Sequence, residues 1–206
     1  MNLFERLADV QERWNVLRHP FYTRWERGEL NADELAFYAG EYRHAVVALA
    51  RQAEAAGAEH AAEEARHVDL WDDFAGALDA DLGREPRPET LECFEAWTGG
   101  DDRLERLAVM YAVESAQPVI SQTKLAGLAE HYGFEADGPA VRYFVLHAER
   151  DVEHAEESRR DLAAEATEAD VERLVAAAEA ALRGNWRLLD GVEHGGNPVS
   201  PVSPLL

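Results

Sequence analysis

The segment His147-Ala-Glu-Arg-Asp151-Val-Glu-His154 sets two imidazoles and a carboxylate at offsets of four and seven residues. On an α-helix these offsets bring all three side chains onto one face. Imidazole nitrogen and carboxylate oxygen converging in this way suit a mid-row transition metal. The last four residues also form an Asp-x-x-His unit, and a second carboxylate-x-x-His unit stands upstream as Glu64-Ala-Arg-His67. Helical proteins that hold two metals in a bundle repeat this unit on two helices and add carboxylates from others. The candidate for an added carboxylate is Glu114, set in the apolar run Leu107-Ala-Val-Met-Tyr-Ala-Val-Glu-Ser-Ala. A carboxylate buried there is costly unless a cation neutralises it.

Glu64, His67, Glu114, His147, Asp151 and His154 therefore form a set of three carboxylates and three imidazoles. Two divalent ions bring four positive charges, three of them offset by the carboxylates, and each ion receives about three protein ligands. Open positions remain for water, dioxygen or substrate. Such sites fit iron or manganese redox chemistry better than structural zinc. The other five histidines, His19, His44, His60, His131 and His194, have no matching neighbours and are read as structural.

The elements that must position this set are helical. A first helix is expected over Leu3–Leu17, then a short turn through Tyr22 and Trp25 to a break at Gly28. Asn31 with Glu34 forms a cap-like start for a helix through Tyr38 and Tyr42 to Ala56. Another spans Glu59–Leu78, and prolines make a loop of residues 83–88. A short helix covers Glu89–Trp97. Asp101 is expected to cap a helix containing Glu114, bent near Pro118 and reaching Tyr132. Gly138-Pro139 opens the His147 helix, and Thr167 starts a last one ending near Leu189. With no alternating strand pattern, the chain reads as all-α, one domain over 1–194 with a flexible tail over 195–206.

The chain has 206 residues, enough to bury one sizeable core. Its formal charge of −21, from 41 acids against 20 bases, argues against nucleic-acid or anionic-membrane surfaces. Lys124 is the single lysine; every other base is arginine. This balance fits either a high-salt cytoplasm or a GC-rich genome. The single cysteine, Cys93, excludes an internal disulfide and a cysteine-rich zinc site. The acid-containing N-terminus is no secretory signal, and no 18-residue apolar run spans a membrane, so a cytoplasmic location is expected.

Beyond these features, His19-Pro-Phe-Tyr-Thr-Arg-Trp-Glu-Arg-Gly-Glu-Leu and Leu35-Ala-Phe-Tyr-Ala-Gly-Glu-Tyr42 resemble the N-terminal signature of haem-oxygenase-like proteins, including the TenA and PqqC groups. His67-Val-Asp-Leu-Trp, Tyr111-Ala-Val-Glu114-Ser, Lys124-Leu-Ala-Gly-Leu and His131-Tyr-Gly-Phe are similar to one branch, the haem-oxygenase-like dimetal oxidases. Within that branch they resemble most the CADD-like proteins (Chlamydia protein associating with death domains). The likeness runs from about His19 to Ser158. It implies a haem-oxygenase-like bundle of about seven helices, two divalent metals (Fe/Fe or Fe/Mn), dioxygen as co-substrate, an external reductant and a homodimer.

CADD-like proteins are self-sacrificing p-aminobenzoate synthases of folate synthesis, in which a tyrosine of the protein is cleaved out and aminated by a lysine. The resemblance places the sacrificed tyrosine at Tyr22, the donor lysine at Lys124 and a second metal-proximal tyrosine at Tyr38. Arginine fills every other basic position, and its guanidinium is no neutral nucleophile, which also favours a chemical role for Lys124. Val113 stands where the family often has a tyrosine before the metal-binding Glu, which removes that ring from any radical relay. The segment between Tyr42 and His67 is shorter than in the chlamydial form, leaving Glu64, Glu63 and His60 open as the first ligand. Competing readings are an oxidase of a free fatty acid or amino acid, a TenA-like hydrolase using a cysteine, and a metal-free binding protein.

Overall fold

The computed structural model describes residues 2–196, which form nine α-helices and no strand. Helix α1 (Leu3–Arg13) opens on a reciprocal cap: Asn2 accepts from the Glu5 amide and Glu5 accepts from the Asn2 amide. It stops short of Leu17 because Asn15 caps a separate 3₁₀ turn at Val16–Arg18. Helix α2 (Pro20–Glu26) begins at His19, whose Nδ1 accepts from the Phe21 amide. Gly28, at φ 66°, ends it in the left-handed region. Helix α3 (Ala32–Gln52) carries the expected Asn31–Glu34 cap.

Helices α4 (Ala58–Ala77) and α5 (Pro88–Trp97) follow. Helix α6 (Arg103–Glu114) is capped by Asp102 and not by Asp101, through the Glu105 amide at 3.0 Å. The bend expected near Pro118 is a full break, with α6 ending at Glu114 and α7 covering Gln117–His131. Pro118 lacks the N–H that would bond the Glu114 carbonyl, so the ladder of α6 stops there and the proline sits in the first turn of α7. Helix α8 covers Arg142–Glu165, and α9 (Val171–Gly196) runs beyond the expected end at Leu189. Gly195 and Gly196 of the expected tail close α9; the rest of that tail lies outside the described residues. The count of nine helices against about seven comes from such short and broken elements.

Helix α9 packs along α1, α3, α5 and α6, while α3 lies against α4 and α7 against α8. The larger apolar cluster holds Phe21, Tyr22, Trp25, Tyr38, Tyr42 and Trp71, and a second joins α1, α6, α8 and α9 through Leu7, Leu107, Leu162 and Leu174. No helix among the described residues is long and apolar enough to cross a membrane.

One close approach fixes α7 against α2. The Trp25 indole Nε1 donates to the Lys124 carbonyl at 3.2 Å, and a Cβ at Gly127 would lie 2.6 Å from the same indole. Only a glycine lets the backbones come this near, and the approach carries Lys124 in beside the tyrosines of α2 and α3. Gly127→Ala must displace the fully buried Trp25. We expect a loss of about 1–3 kcal/mol, exceeding the helix-propensity gain of alanine, measured by urea unfolding.

Candidate metal centre

Helix α4 presents His60, Glu64 and His67, and α8 presents His147, Asp151 and His154; all six are buried. The two helices repeat one spacing, His-x-x-x-acid-x-x-His, and pair it head to tail. The His60 ring lies 3.9 Å from that of His154, and the His67 ring 4.6 Å from that of His147. The acids lie between these two histidine pairs. Glu64 Oε1 is 2.9 Å from His67 Nδ1, 3.7 Å from His154 Nδ1 and 3.9 Å from His60 Nε2. Asp151 Oδ1 is 3.9 Å from His154 Nδ1. Glu114, the last residue of α6, brings Oε1 to 3.1 Å from His60 Nε2.

Donor atoms thus converge as two groups sharing Glu64: His60, Glu64, Glu114 and His154 in one, Glu64, His67 and His147 in the other. Within each, the atoms lie within 4.8 Å of one another. Asp151 belongs to neither group; it lies on the helix face of His147 and His154, 3.9 Å from His154 Nδ1.

The electrostatics ask for cations. Burial pushes the Glu114 carboxyl well above its usual range, with Glu64 and Glu157 adding to the effect. Asp151 is raised by burial and then by Glu114 and Glu64. Burial also raises Glu64, but His67, His147 and His60 outweigh it and hold its carboxyl below the usual value. Burial lowers His60 and His154, and brings His147 down to about 4. These three imidazoles are held toward the neutral, lone-pair-donating form, crowded against acids that need positive charge.

Unsatisfied atoms point the same way. His60 Nδ1 and Nε2, both Glu114 oxygens, His147 Nε2, Asp151 Oδ2 and His154 Nδ1 have no hydrogen-bond partner. Orphaned polar atoms buried in such numbers are expensive unless they bind an ion. The His147 Nδ1 donates to the Tyr143 carbonyl at 2.7 Å, which leaves Nε2 bare toward the cluster. The donor set fits a nitrogen- and oxygen-ligated metal pair.

Beside the cluster lies a second buried group. Tyr22 of α2 and Tyr38 of α3 share a hydroxyl–hydroxyl bond of 3.0 Å. The Lys124 ammonium position of α7 is 0% exposed, and Nζ has no hydrogen-bond partner. It sits 4.5 Å from the Tyr42 ring centre, 5.5 Å from that of Tyr22 and 5.6 Å from that of Tyr38. Burial brings the Lys124 pKa down to about 7, so a large share of neutral amine exists at neutral pH. Burial raises the Tyr22 and Tyr38 phenols well above their usual range, so both keep their protons.

The structure brings Glu64, His67, Glu114, His147, Asp151 and His154 together, and gathers Tyr22, Tyr38 and Lys124 in the neighbouring chamber. Glu63 points elsewhere: it pairs with Arg150 at 2.8 Å and meets His154 Nε2 at 3.4 Å, on the outer side of that ring. His60 is a correction. It is not a structural histidine without neighbours, and it stands beside Glu64 in addition to it. The signal was present in the sequence, because His60, Glu64 and His67 repeat the spacing of His147, Asp151 and His154. His19 serves α2 as a cap and bonds Asp190 through Nε2 at 3.1 Å. Cys93 is fully buried with its thiol raised by burial, which leaves it protonated and unsuited to attack.

The model of the family described as iron-containing redox enzymes matches residues 33–187, and the chain belongs to that family. A 4-aminobenzoate synthase of Chlamydia muridarum is 30% identical over 182 residues, covering 77% of each chain. A 4-aminobenzoate synthase of Nitrosomonas europaea is 29% identical over 229 residues, covering 94% of this chain and 92% of its own. Among solved structures, a Shewanella denitrificans domain with a haem-oxygenase-like fold superposes with a TM-score of 0.79 at 23% identity, over 95% of this chain and 93% of its own. The TenA homologue of P. horikoshii gives 0.74 at 14% identity, over 95% and 100%. The fold is haem-oxygenase-like, the protein is a redox enzyme and its cofactor is metal.

The buried lysine makes a prediction on stability. The Lys124 pKa is about 7 folded and 10.5 unfolded, so the unfolded chain binds more protons between these values. Stability gained on deprotonation is therefore absent below pH 7 and complete above 10.5. We expect Lys124→Met to be the more stable form near neutral pH, by a few kcal/mol, with the gap closing as pH rises toward the lysine range. Urea midpoints of both forms across that window test the sign.

Proposed function

We propose that this chain is a self-sacrificing p-aminobenzoate synthase, with Tyr22 as ring source and Lys124 as amine donor. The observation that carries the reading is the enclosure of the sole lysine, unpartnered, against Tyr22, Tyr38 and Tyr42. A solvated lysine holds its proton at neutral pH and attacks nothing; this one is held partly neutral by burial and has no acceptor to occupy it.

His60, Glu64, His67, Glu114, His147, Asp151 and His154 are the residues that would hold the pair of metals, Fe/Fe or Fe/Mn. Once bound and reduced by an external donor, such a pair supplies the activation of dioxygen that oxidising an aromatic ring requires. The protein does the rest by placement. Tyr38 fixes the Tyr22 hydroxyl through their shared bond, and Trp25 ties the Lys124 backbone to α2. Exposures of 0–1% at Tyr22, Tyr38 and Lys124 keep bulk water from competing with the amine. In this reading the Cα–Cβ bond of Tyr22 and the Cε–Nζ bond of Lys124 both break; Cβ is oxidised by dioxygen to the carboxyl of the benzoate skeleton, and the lysine nitrogen replaces the phenolic oxygen, which leaves as water. Each chain then reacts about once.

Two outcomes check this. Intact-mass measurement after loading with ferrous iron and exposure to oxygen should show a loss that peptide mapping assigns to Tyr22, while Tyr22→Phe and Lys124→Arg yield no p-aminobenzoate. A Tyr22→Phe protein that still makes the product contradicts the reading and favours an external substrate. Metal analysis should find about two ions per chain, falling to about one in His60→Ala while the His67–His147 group keeps its own.

A further inference from the structure

Tyr22 and Tyr38 share a hydroxyl–hydroxyl bond, and a continuous run of ring contacts connects them to the candidate metal centre. Tyr143 stacks on His147 with ring centres 4.0 Å apart and planes at 26°. Tyr143 meets Trp71 edge-on at 4.9 Å, Trp71 meets Tyr38 at 5.9 Å, and Tyr38 meets Tyr22 at 6.5 Å with the hydroxyls bonded. Trp71 is 0% exposed and donates its indole N–H to the Ala39 carbonyl at 2.8 Å. Phe74 and Phe144 also touch it, but phenyl rings give up electrons far less readily than indoles or phenols. Tyr42, 5.0 Å from Trp71 and 5.2 Å from Tyr38, offers a second branch that also passes through Trp71. Val113 leaves no tyrosine directly before Glu114 to serve instead.

We propose that Trp71 is an electron-relay residue, through which Tyr22 is oxidised by the metal centre without direct contact. The inference rests on the function proposed above. Metals bound and oxidised at the donor cluster would supply a one-electron oxidant there, to which Trp71 gives up one electron across the Tyr143–His147 stack. The indole keeps its N–H on the Ala39 carbonyl and passes the deficit to Tyr38 as a radical cation. Tyr38 loses an electron to Trp71, and its phenolic proton goes to the unpartnered amine of Lys124. Tyr38 then takes a hydrogen atom from Tyr22 across the 3.0 Å bond. In sum, the centre is reduced by one electron, Tyr22 becomes a phenoxyl radical and the Lys124 amine gains one proton. The oxidant is the dioxygen-oxidised metal centre of the proposed reaction.

Trp71→Phe and Trp71→Tyr remove the same indole and its bond to Ala39, but only the tyrosine restores an oxidisable ring. The expected result is that both variants bind metal and consume oxygen as the unmutated chain does. Loss of mass at Tyr22 should then slow by about tenfold or more in Trp71→Phe and return substantially in Trp71→Tyr. Freeze-quench electron paramagnetic resonance of the unmutated chain should show a radical whose hyperfine pattern changes with ring-deuterated tryptophan. Wild-type kinetics of Tyr22 loss in Trp71→Phe, equal loss of reaction in both variants, or no tryptophan-dependent radical would each overturn the relay. If the unmutated chain loses nothing at Tyr22, the proposed synthase reading fails first, so the two failures are distinguishable.

Discussion

The structure depends on a carboxylate shared between two histidine pairs. Glu64 Oε1 lies within 4 Å of nitrogen atoms from His60, His67 and His154, with Glu114 and Asp151 close by. Three acids and four imidazoles packed at 7% exposure or less form an interior that the apolar effect alone would reject. With cations in place the same groups would become ligands, and their removal from water would be compensated. Metal loading would then be coupled to stability through the helices that carry the donors.

That coupling explains features elsewhere in the chain. Helix α6 must end at Glu114 with its carboxylate aimed inward, and the break before Pro118 turns α7 away so that Lys124 enters from another side. Gly127 lets α7 meet Trp25, and the Trp25 indole holds the Lys124 backbone. The metal donors and the tyrosine–lysine chamber are thus separate sites built on shared helices. Trp71, on the same helix as His60, Glu64 and His67, stands between them.

Helical periodicity made much of this legible. The offsets in His147–His154 and in Glu64–His67 put donors on one face whatever the tertiary contacts, and the apolar surroundings of Glu114 marked it as exceptional. The capping box at Asn31 and the stop at Gly28 were equally local and equally readable. What escaped was relational. His60 looked isolated only because Glu64 was paired with the histidine after it and not also with the one before. Recognising its place required comparing α4 with α8 as two copies of one spacing. The Pro118 break and the caps at Asp102 and Asn15 turned on single hydrogen bonds, below what composition resolves. The chamber around Lys124 came from resemblance and from its singularity as a lysine; no local pattern places a residue of α7 against α2 and α3.

The two ends of the donor cluster are not equivalent, and the asymmetry gives it a direction. At one end, His60 and His154 carry the additional carboxylate of Glu114, and the far nitrogen of His154 meets Glu63, which is paired with the partly exposed Arg150. At the other, His67 and His147 have no further acid beyond Glu64 in their group, and His147 is backed by Tyr143 through both its carbonyl and its ring. The first end is more anionic and closer to solvent; the second faces the aromatic core. Negative charge stabilises the higher oxidation state of a metal, so an ion held at the acid-rich end would favour that state more than one at the other. An ion held at the His67–His147 end would then be the stronger oxidant of the two, and that end adjoins the Tyr143 ring. A symmetric donor set would lack this bias, and Glu114 is the residue that breaks the repeat between α4 and α8.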